Sequence, residues 1–281
     1  MSYLQHLLPH RLISCIADFL ANHQSPKLSQ ALIQYFIKRY PVCFQEAAEP
    51  DVSKYRSFND FFTRRLKAEA RPIDANPYTA ISPADSAIAQ MGQIEKNRLI
   101  QAKGQYFTLE NLLAGDAASQ TFENGSFITQ YLAPHDYHRV HMPLDGQLKS
   151  MIYIPGRLFS VNPRITAVIP GIMARNERVV CIFETEAGLM AVIMVGAMIV
   201  GNMETIWAGR LPILNKRHIA TTHYGAGSPP VFLNKGEEMG RFRLGSTTIV
   251  LFEKDRFNFA ANLNWGLLIK MGQSLGTFSR S

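Results

Sequence analysis

Apolar residues recur at helical spacing near the start of the chain, at Leu4, Leu7, Leu8, Leu12, Ile16, Phe19 and Leu20, and again at Leu28, Ala31, Leu32, Tyr35 and Phe36. A three-to-four-residue period predicts two amphipathic helices, punctuated by Pro26 and Pro41. A third helix is predicted over 58–68, with Ser57 capping it, Phe61, Phe62 and Leu66 on an apolar face, and Arg64, Arg65 and Lys67 on a basic side. From Ile73 the pattern changes. Short apolar runs over 127–132, 148–154, 179–184, 189–195 and 248–252 alternate with Gly, Pro and Asn turns, which predicts strands. The chain is therefore expected to be α+β, with a helical region over 1–72 and a β-rich, barrel- or sandwich-like domain over 73–281. The longest apolar stretch, Leu189 to Val200, falls short of the roughly 20 residues a membrane-spanning helix needs. Its β-branched residues and Gly196 suit one or two buried strands. The segment from Thr222 to Pro230, with glycines and prolines around Ser228, predicts an exposed or mobile loop.

Composition adds constraints. With 281 residues, 47% of them hydrophobic and 18% charged, the chain can bury a substantial core. A net charge of +7 favours an anionic partner. No basic run interleaved with aromatics is present, so nucleic acid is not the expected one. Cys15, Cys43 and Cys181 have no zinc or disulfide spacing and read as reduced, mostly buried thiols. The N-terminus lacks the succession of a secretory signal, so the protein is expected to stay where it is made. Asn124-Gly125-Ser126 reads as a turn. The first helix, carrying His6, His10 and Arg11 beside its leucines, could pack on the core or lie in a lipid interface.

The chemistry concentrates near the C-terminus. Arg241-Phe242-Arg243-Leu244-Gly245-Ser246-Thr247-Thr248 sets a small Gly-Ser-Thr turn between two strand-like runs. A serine hydroxyl becomes a nucleophile only with a base in reach, and Gly245, lacking a Cβ, lets the next residue approach its carbonyl. On spacing alone a tight turn is the simpler account. His135, His138 and His141 recur every third residue, which invites a metal reading. Pro134 and Pro143 break any continuous helix there, and only Asp136 and Asp145 lie near, so no metal is expected.

Leu244-Gly245-Ser246-Thr247 resembles the self-cleavage motif of the phosphatidylserine decarboxylases. Tyr137-His138-Arg139-Val140-His141-Met142-Pro143 resembles their histidine motif, and Ser82-Pro83-Ala84-Asp85 their aspartate motif. The similarity continues through Gln101-Ala102-Lys103-Gly104, Phe159-Ser160-Val161-Asn162, Ala174-Arg175-Asn176-Glu177-Arg178 and Val195-Gly196-Ala197. Ser86 stands where the family more often carries glycine.

The resemblance implies that His141 removes the Ser246 hydroxyl proton while Asp85 orients the imidazole, and that the oxygen attacks the Gly245 carbonyl. An ester forms, and elimination then divides the chain into a β chain (1–245) and an α chain (246–281). Residue 246, left as dehydroalanine, hydrolyses with loss of ammonia to a covalent pyruvoyl cofactor that takes the place of pyridoxal phosphate, with no metal. That group would form a Schiff base with phosphatidylserine and release carbon dioxide to give phosphatidylethanolamine. His138 would be the proton donor or a contact to the lipid phosphate. The resemblance further implies a homodimer of the cleaved α/β heterodimer. It also implies a peripheral place on the anionic cytoplasmic face of the bacterial cell membrane, with the helical region toward lipid. Two other readings use the same residues. A serine hydrolase would want a helix after its nucleophile, whereas Ser246 precedes the β-branched run Thr247 to Val250. A non-catalytic membrane-docking domain would keep its chain whole.

Overall fold

The apolar runs of the second half become strands because a central sheet is covered on both faces. The computed structural model describes residues 10–102, 104–198, 203–211, 218–225, 227, 229–243 and 246–279. Leu4, His6, Leu7, Leu8, Val200, Ser228, Leu244 and Gly245 therefore lie outside the described residues. Among the described residues a nine-stranded sheet runs in the order Ala220–His223, Gly146–Ile154, Arg178–Thr185, Gly188–Val195, Ser246–Phe252, Ser126–Leu132, Ser86–Gln93 and Leu268–Ile269, with Phe232–Leu233 also alongside Gly146–Ile154. Neighbouring strands in it are antiparallel.

Side-chain alternation divides the core in two. Cys181, Phe183, Val192, Met194, Val250 and Phe252 face one side of the sheet, while Val180, Ile182, Ala191, Ile193, Ile249 and Leu251 face the other. The first side packs on two smaller sheets. One orders Gly209–Arg210, Met203–Thr205, Glu238–Phe242 and Arg139–His141; the other orders Thr79–Ile81, Ser274–Phe278 and Phe257–Phe259. Short helices and the hairpin of Arg98–Ala102 with Gln105–Thr108 cover the second side. The arrangement is a sandwich of open sheets, not a closed barrel, since the edge strands Ala220–His223 and Leu268–Ile269 do not pair with each other. Burial on both faces explains the unbroken apolar run after Gly188, a single strand that ends at Val195.

Two expectations are corrected here. Thr222 and His223 are not loop: they pair with Met151 and Ser150 as an edge strand. Of the cysteines only Cys181 is buried, Cys43 being exposed and Cys15 half-buried, because Cys15 and Cys43 lie in the thin helical region rather than between sheets.

That helical region comprises α1 (His10–Asn22), α2 (Pro26–Arg39) and α3 (Phe58–Phe62). In α2 the buried stripe is Ser29 and Ile33, with Leu32, Phe36 and Ile37 packed beside it, so Tyr35 points outward against expectation. The Ser29 hydroxyl sets that rotation, reaching the carbonyls of His23 and Arg56. Ser57 caps α3 as predicted, accepting from Asp60 N at 3.1 Å. The helix is much shorter than expected, because the Thr63 hydroxyl returns to Asn59 O at 2.8 Å and the chain then pairs with residues 46–48 through Ala48 N to Arg65 O and Lys67 N to Glu46 O, both 2.9 Å. Arg64 is consequently buried, its Nη2 donating to His135 O at 3.2 Å, rather than on a basic solvent face.

The apolar stripe of α1 does not pack inward. Leu12, Ile16 and Phe19 are 59%, 52% and 68% exposed. Among the described residues no helix is long and apolar enough to cross a membrane.

Candidate active site

The aspartate motif leads into the edge of the large sheet. Asp85 is buried, with Arg71 Nε 2.8 Å from its Oδ1, Arg71 Nη2 2.5 Å from its Oδ2, and Met271 N donating to Oδ1 at 2.9 Å. Arg71 Nη2 also reaches Glu46 Oε2 at 2.7 Å, and Lys270 Nζ reaches Glu46 Oε1 at 3.0 Å. The hydrogen bond from Arg71 holds the Glu46 carboxyl at about 2, well below the ordinary value. Ser86, in the glycine's place, begins a regular strand. Its hydroxyl and that of Ser82 take the Nε2 of the fully buried Gln130 at 2.9 and 2.7 Å, and both donate to Ala84 O. The serine thus braces the turn behind Asp85.

His141 lies on the neighbouring segment, its N donating to Pro83 O at 2.8 Å. The expected hydrogen bond between its ring and Asp85 is absent. Charge-assisted bonds from a guanidinium outcompete one from a neutral imidazole, and His141 Nδ1 donates to Gly236 O at 2.8 Å instead. A carbonyl only accepts, so the proton sits on Nδ1 and Nε2 carries the lone pair, which takes the Tyr137 hydroxyl at 3.1 Å. Burial lowers the His141 pKa and pushes that of Tyr137 up to about 12. Asp85 acts on His141 only through space, favouring the imidazolium less than Glu238 does and against the opposing charge of Arg139.

His138 is fully buried, its ring packed on Phe62 of α3 with centroids 4.1 Å apart. Nδ1 donates to Asp136 O at 2.9 Å, so Nε2 is again a lone pair, and this one has no partner. Burial drives its pKa down to about 3. The ring as held is an acceptor; the expected role of proton donor requires it to take up a proton first. His135, by contrast, is partly exposed and lies 3.6 Å from Asp136. The three histidines turn to different partners.

The junction is bracketed from both sides. Phe242 N donates to His138 O at 2.9 Å, and Ser246 opens its strand opposite Leu132. Thr247 then sits between Tyr131 and Val195. Gly245 is outside the described residues, as is the side chain of Ser246, but the backbone on either side is fixed against the histidine motif and the strand that precedes it. Asp136 holds the connecting turn, its Oδ2 accepting from Ala133 N at 2.7 Å; burial raises its pKa to about 6.

Three participants were not singled out from sequence. Tyr137 stands within the histidine motif, four residues before the His141 it bonds. Arg71 carried no signal beyond its charge. Arg139 anchors the motif to the end of α3, donating to Thr63 O from Nε and Nη2 at 3.0 and 2.8 Å and to Glu238 from Nη1 at 2.6 Å. With Phe62 on His138 and Arg71 on Asp85, these contacts cross the expected boundary at residue 72. An apolar cavity of about 410 Å³ opens on the face of the sheet that carries Thr247, lined by Tyr131, Met173 and Trp265 among others. The helical region presents the open apolar face of α1.

Comparison with known proteins is consistent along the whole chain. A family model described as phosphatidylserine decarboxylase matches residues 58–277, and one described as PSD matches residues 2–41. A phosphatidylserine decarboxylase proenzyme of Ectopseudomonas mendocina is 52% identical over 274 residues, 97% of this chain and 96% of that one. Proteins of the same name from Pseudomonas fluorescens and Bordetella avium are each 50% identical, covering 97% and 96% of this chain and 95% and 92% of their own.

Proposed function

The chain belongs to the phosphatidylserine decarboxylase family, and on that premise we propose that it is a proenzyme that cuts itself between Gly245 and Ser246 and then decarboxylates phosphatidylserine to phosphatidylethanolamine. The observation that carries the reading is His138. A fully buried imidazole with Nδ1 committed to a carbonyl and a bare Nε2 is costly to keep, and it is held against the segment that enters the junction.

In the self-cleavage, His141 Nε2 exchanges the Tyr137 hydroxyl for the Ser246 proton, and Gly236 O keeps the ring in the required tautomer. Asp85 favours the resulting imidazolium through space. The Ser246 oxygen attacks the Gly245 carbonyl, the peptide bond becomes an ester, and elimination releases residues 1–245 with a terminal carboxylate. Residue 246 is left as dehydroalanine, which adds water and loses ammonia. The fit of a pyruvoyl group rests on the strand pairing, which holds residue 246 in place from its C-terminal side after the cut, and on the unsatisfied nitrogen of His138, a residue whose carbonyl takes Phe242 N of the segment leading to the cut. A pyruvoyl group supplies an electrophilic ketone that condenses with a primary amine and draws off electrons as carbon dioxide leaves. His138 Nε2 takes a proton from the incoming ammonium and returns it to the substrate carbon after decarboxylation, so that one nitrogen serves first as acceptor and then as donor.

The cleaved product is a two-chain enzyme, with two such units forming a homodimer, docked peripherally on the cytoplasmic face of the membrane. The +7 charge draws it to anionic lipid, and the exposed Leu12, Ile16 and Phe19 of α1 enter the interface. The denatured intact mass of the purified protein beside Ser246→Ala tests the maturation. Two fragments parting after residue 245, the smaller lighter than encoded, and an uncut variant are expected. A wild-type chain that stays whole in the presence of anionic vesicles would instead favour a docking domain without catalysis.

A further inference from the structure

A second cavity, polar and of about 360 Å³, lies between the end of α1, α3 and the strand Glu238–Phe242 that leads to the junction. Its size falls within the roughly 300–1,000 Å³ of small-molecule pockets. Arg56, Arg241, Arg243, Asn22, Asn59 and Asp60 carry its chemistry. Arg243, two residues before Gly245, binds Glu204 Oε2 through Nε and Nη2 at 3.1 and 2.8 Å and Asn22 Oδ1 through Nη1 at 3.0 Å. The cavity wall thus joins the helix with the exposed apolar face to the cleavage segment.

What the cavity leaves unpaired describes a ligand. Asn59 is 3% exposed, and its Nδ2 donates to Asn22 Oδ1 at 2.9 Å while its Oδ1 is buried without a partner. The orientation follows from its neighbours: Asn22 Nδ2 is committed to Asp18, so Asn22 offers an oxygen and Asn59 must offer its nitrogen to it. Arg241 Nε is a buried donor without a hydrogen bond, 3.8 Å from Glu204 Oε1, while Arg241 Nη2 pairs with Glu238 Oε1 at 2.9 Å, and the exposed Arg56 guanidinium makes no hydrogen bond or ion pair with the described residues. Arg56, Arg241 and Arg243 line the cavity with Asp60, and behind them Glu204 pairs with Arg241 and Arg243 while Glu238 pairs with Arg241 and Arg139, so that with these partners four guanidinium groups stand against three carboxylates. One waiting acceptor with several waiting donors, in a nearly balanced field, suits a ligand bearing one ammonium and more than one anionic group. A bare phosphate would leave Asn59 Oδ1 unsatisfied.

We propose that this cavity binds the phosphoserine headgroup of the lipid substrate before reaction, with Arg56 and Arg241 taking its anionic groups and Asn59 Oδ1 its ammonium. The proposal rests on the decarboxylase reading for the identity of the lipid. The acyl chains of a lipid so placed leave toward the apolar face of α1.

The test has two arms. Calorimetric titration of glycerophosphoserine, glycerol 3-phosphate and inorganic phosphate into the uncut Ser246→Ala chain reads the cavity independently of maturation. Glycerophosphoserine is expected to bind at least tenfold tighter than either phosphate. Arg56→Gln in the same background is expected to weaken it about tenfold without shifting the melting temperature, and Arg56→Lys to recover part of the loss. In the cleaved enzyme Arg56→Gln should raise KM for phosphatidylserine about tenfold with kcat within twofold. Absent binding, equal binding by Arg56→Gln, or no preference over phosphate overturns the proposal. A wild-type enzyme that binds glycerophosphoserine as expected yet releases no carbon dioxide from phosphatidylserine overturns the decarboxylase reading and leaves the cavity assignment standing.

Discussion

Asp85 meets Arg71 through three hydrogen bonds, Nε to Oδ1 at 2.8 Å and to Oδ2 at 3.1 Å and Nη2 to Oδ2 at 2.5 Å, and this pair rather than a carboxylate–imidazole contact fixes the aspartate of the site. It spans the helical region and the large sheet. Because Met271 N shares the same carboxylate, it also ties the proposed small fragment to the large one after the cut.

Removing one partner of such a pair leaves the other charge buried and uncompensated. Arg71→Met is expected to destabilise the uncut Ser246→Ala chain by about 3–5 kcal/mol in urea unfolding. Adding Asp85→Asn should recover part of that loss, since the charge left behind is gone. A cost below about 1 kcal/mol would mean that solvent already screens the pair.

His138 gives the pH dependence a definite sign. Its folded-state value of about 3 lies below the ordinary 6.5, so as pH falls the unfolded chain takes up the proton first. The neutral ring's contribution is complete above 6.5 and drains away toward 3, at up to roughly 1.4 kcal/mol per pH unit. Compared with His138→Gln in the uncut background, the chain retaining His138 should lose about 2 kcal/mol more unfolding free energy between pH 6.5 and 5. A difference that stays flat across that interval would place the ring in contact with solvent.

Phe19 is 68% exposed on α1, and burying such a side chain contributes roughly 1.5–3 kcal/mol. Phe19→Ser is expected to weaken co-sedimentation with phosphatidylserine vesicles about tenfold or more. Binding of the unaltered protein should also fall as salt rises, given the +7 charge. Equal sedimentation of the variant would remove this helix face from the docking surface.

Local pattern was enough to determine the strands and the residue types of the site. Alternation and β-branched runs located the five longest apolar strands to within a few residues, because a strand covered on both faces must be apolar throughout, and the motifs around Asp85, His138, His141 and Ser246 stand in the sequence as read. Ser57 as the α3 cap is likewise a matter of adjacent residues. The partners were not legible. Gly236 on His141, Arg71 on Asp85 and Phe62 on His138 lie 95, 14 and 76 positions away along the chain, and nothing in the local pattern distinguishes the Arg71 carboxylate contact from a solvated charge. The length of α3 and the burial of Arg64 depended on pairing with residues 46–48. Hydrophobic periodicity reports how apolar a face is, but only the packed structure decides whether that face meets a core, as in Ile249, or water, as in Phe19. Competition for a buried carboxylate or imidazole is settled by which donors the fold brings within hydrogen-bonding distance.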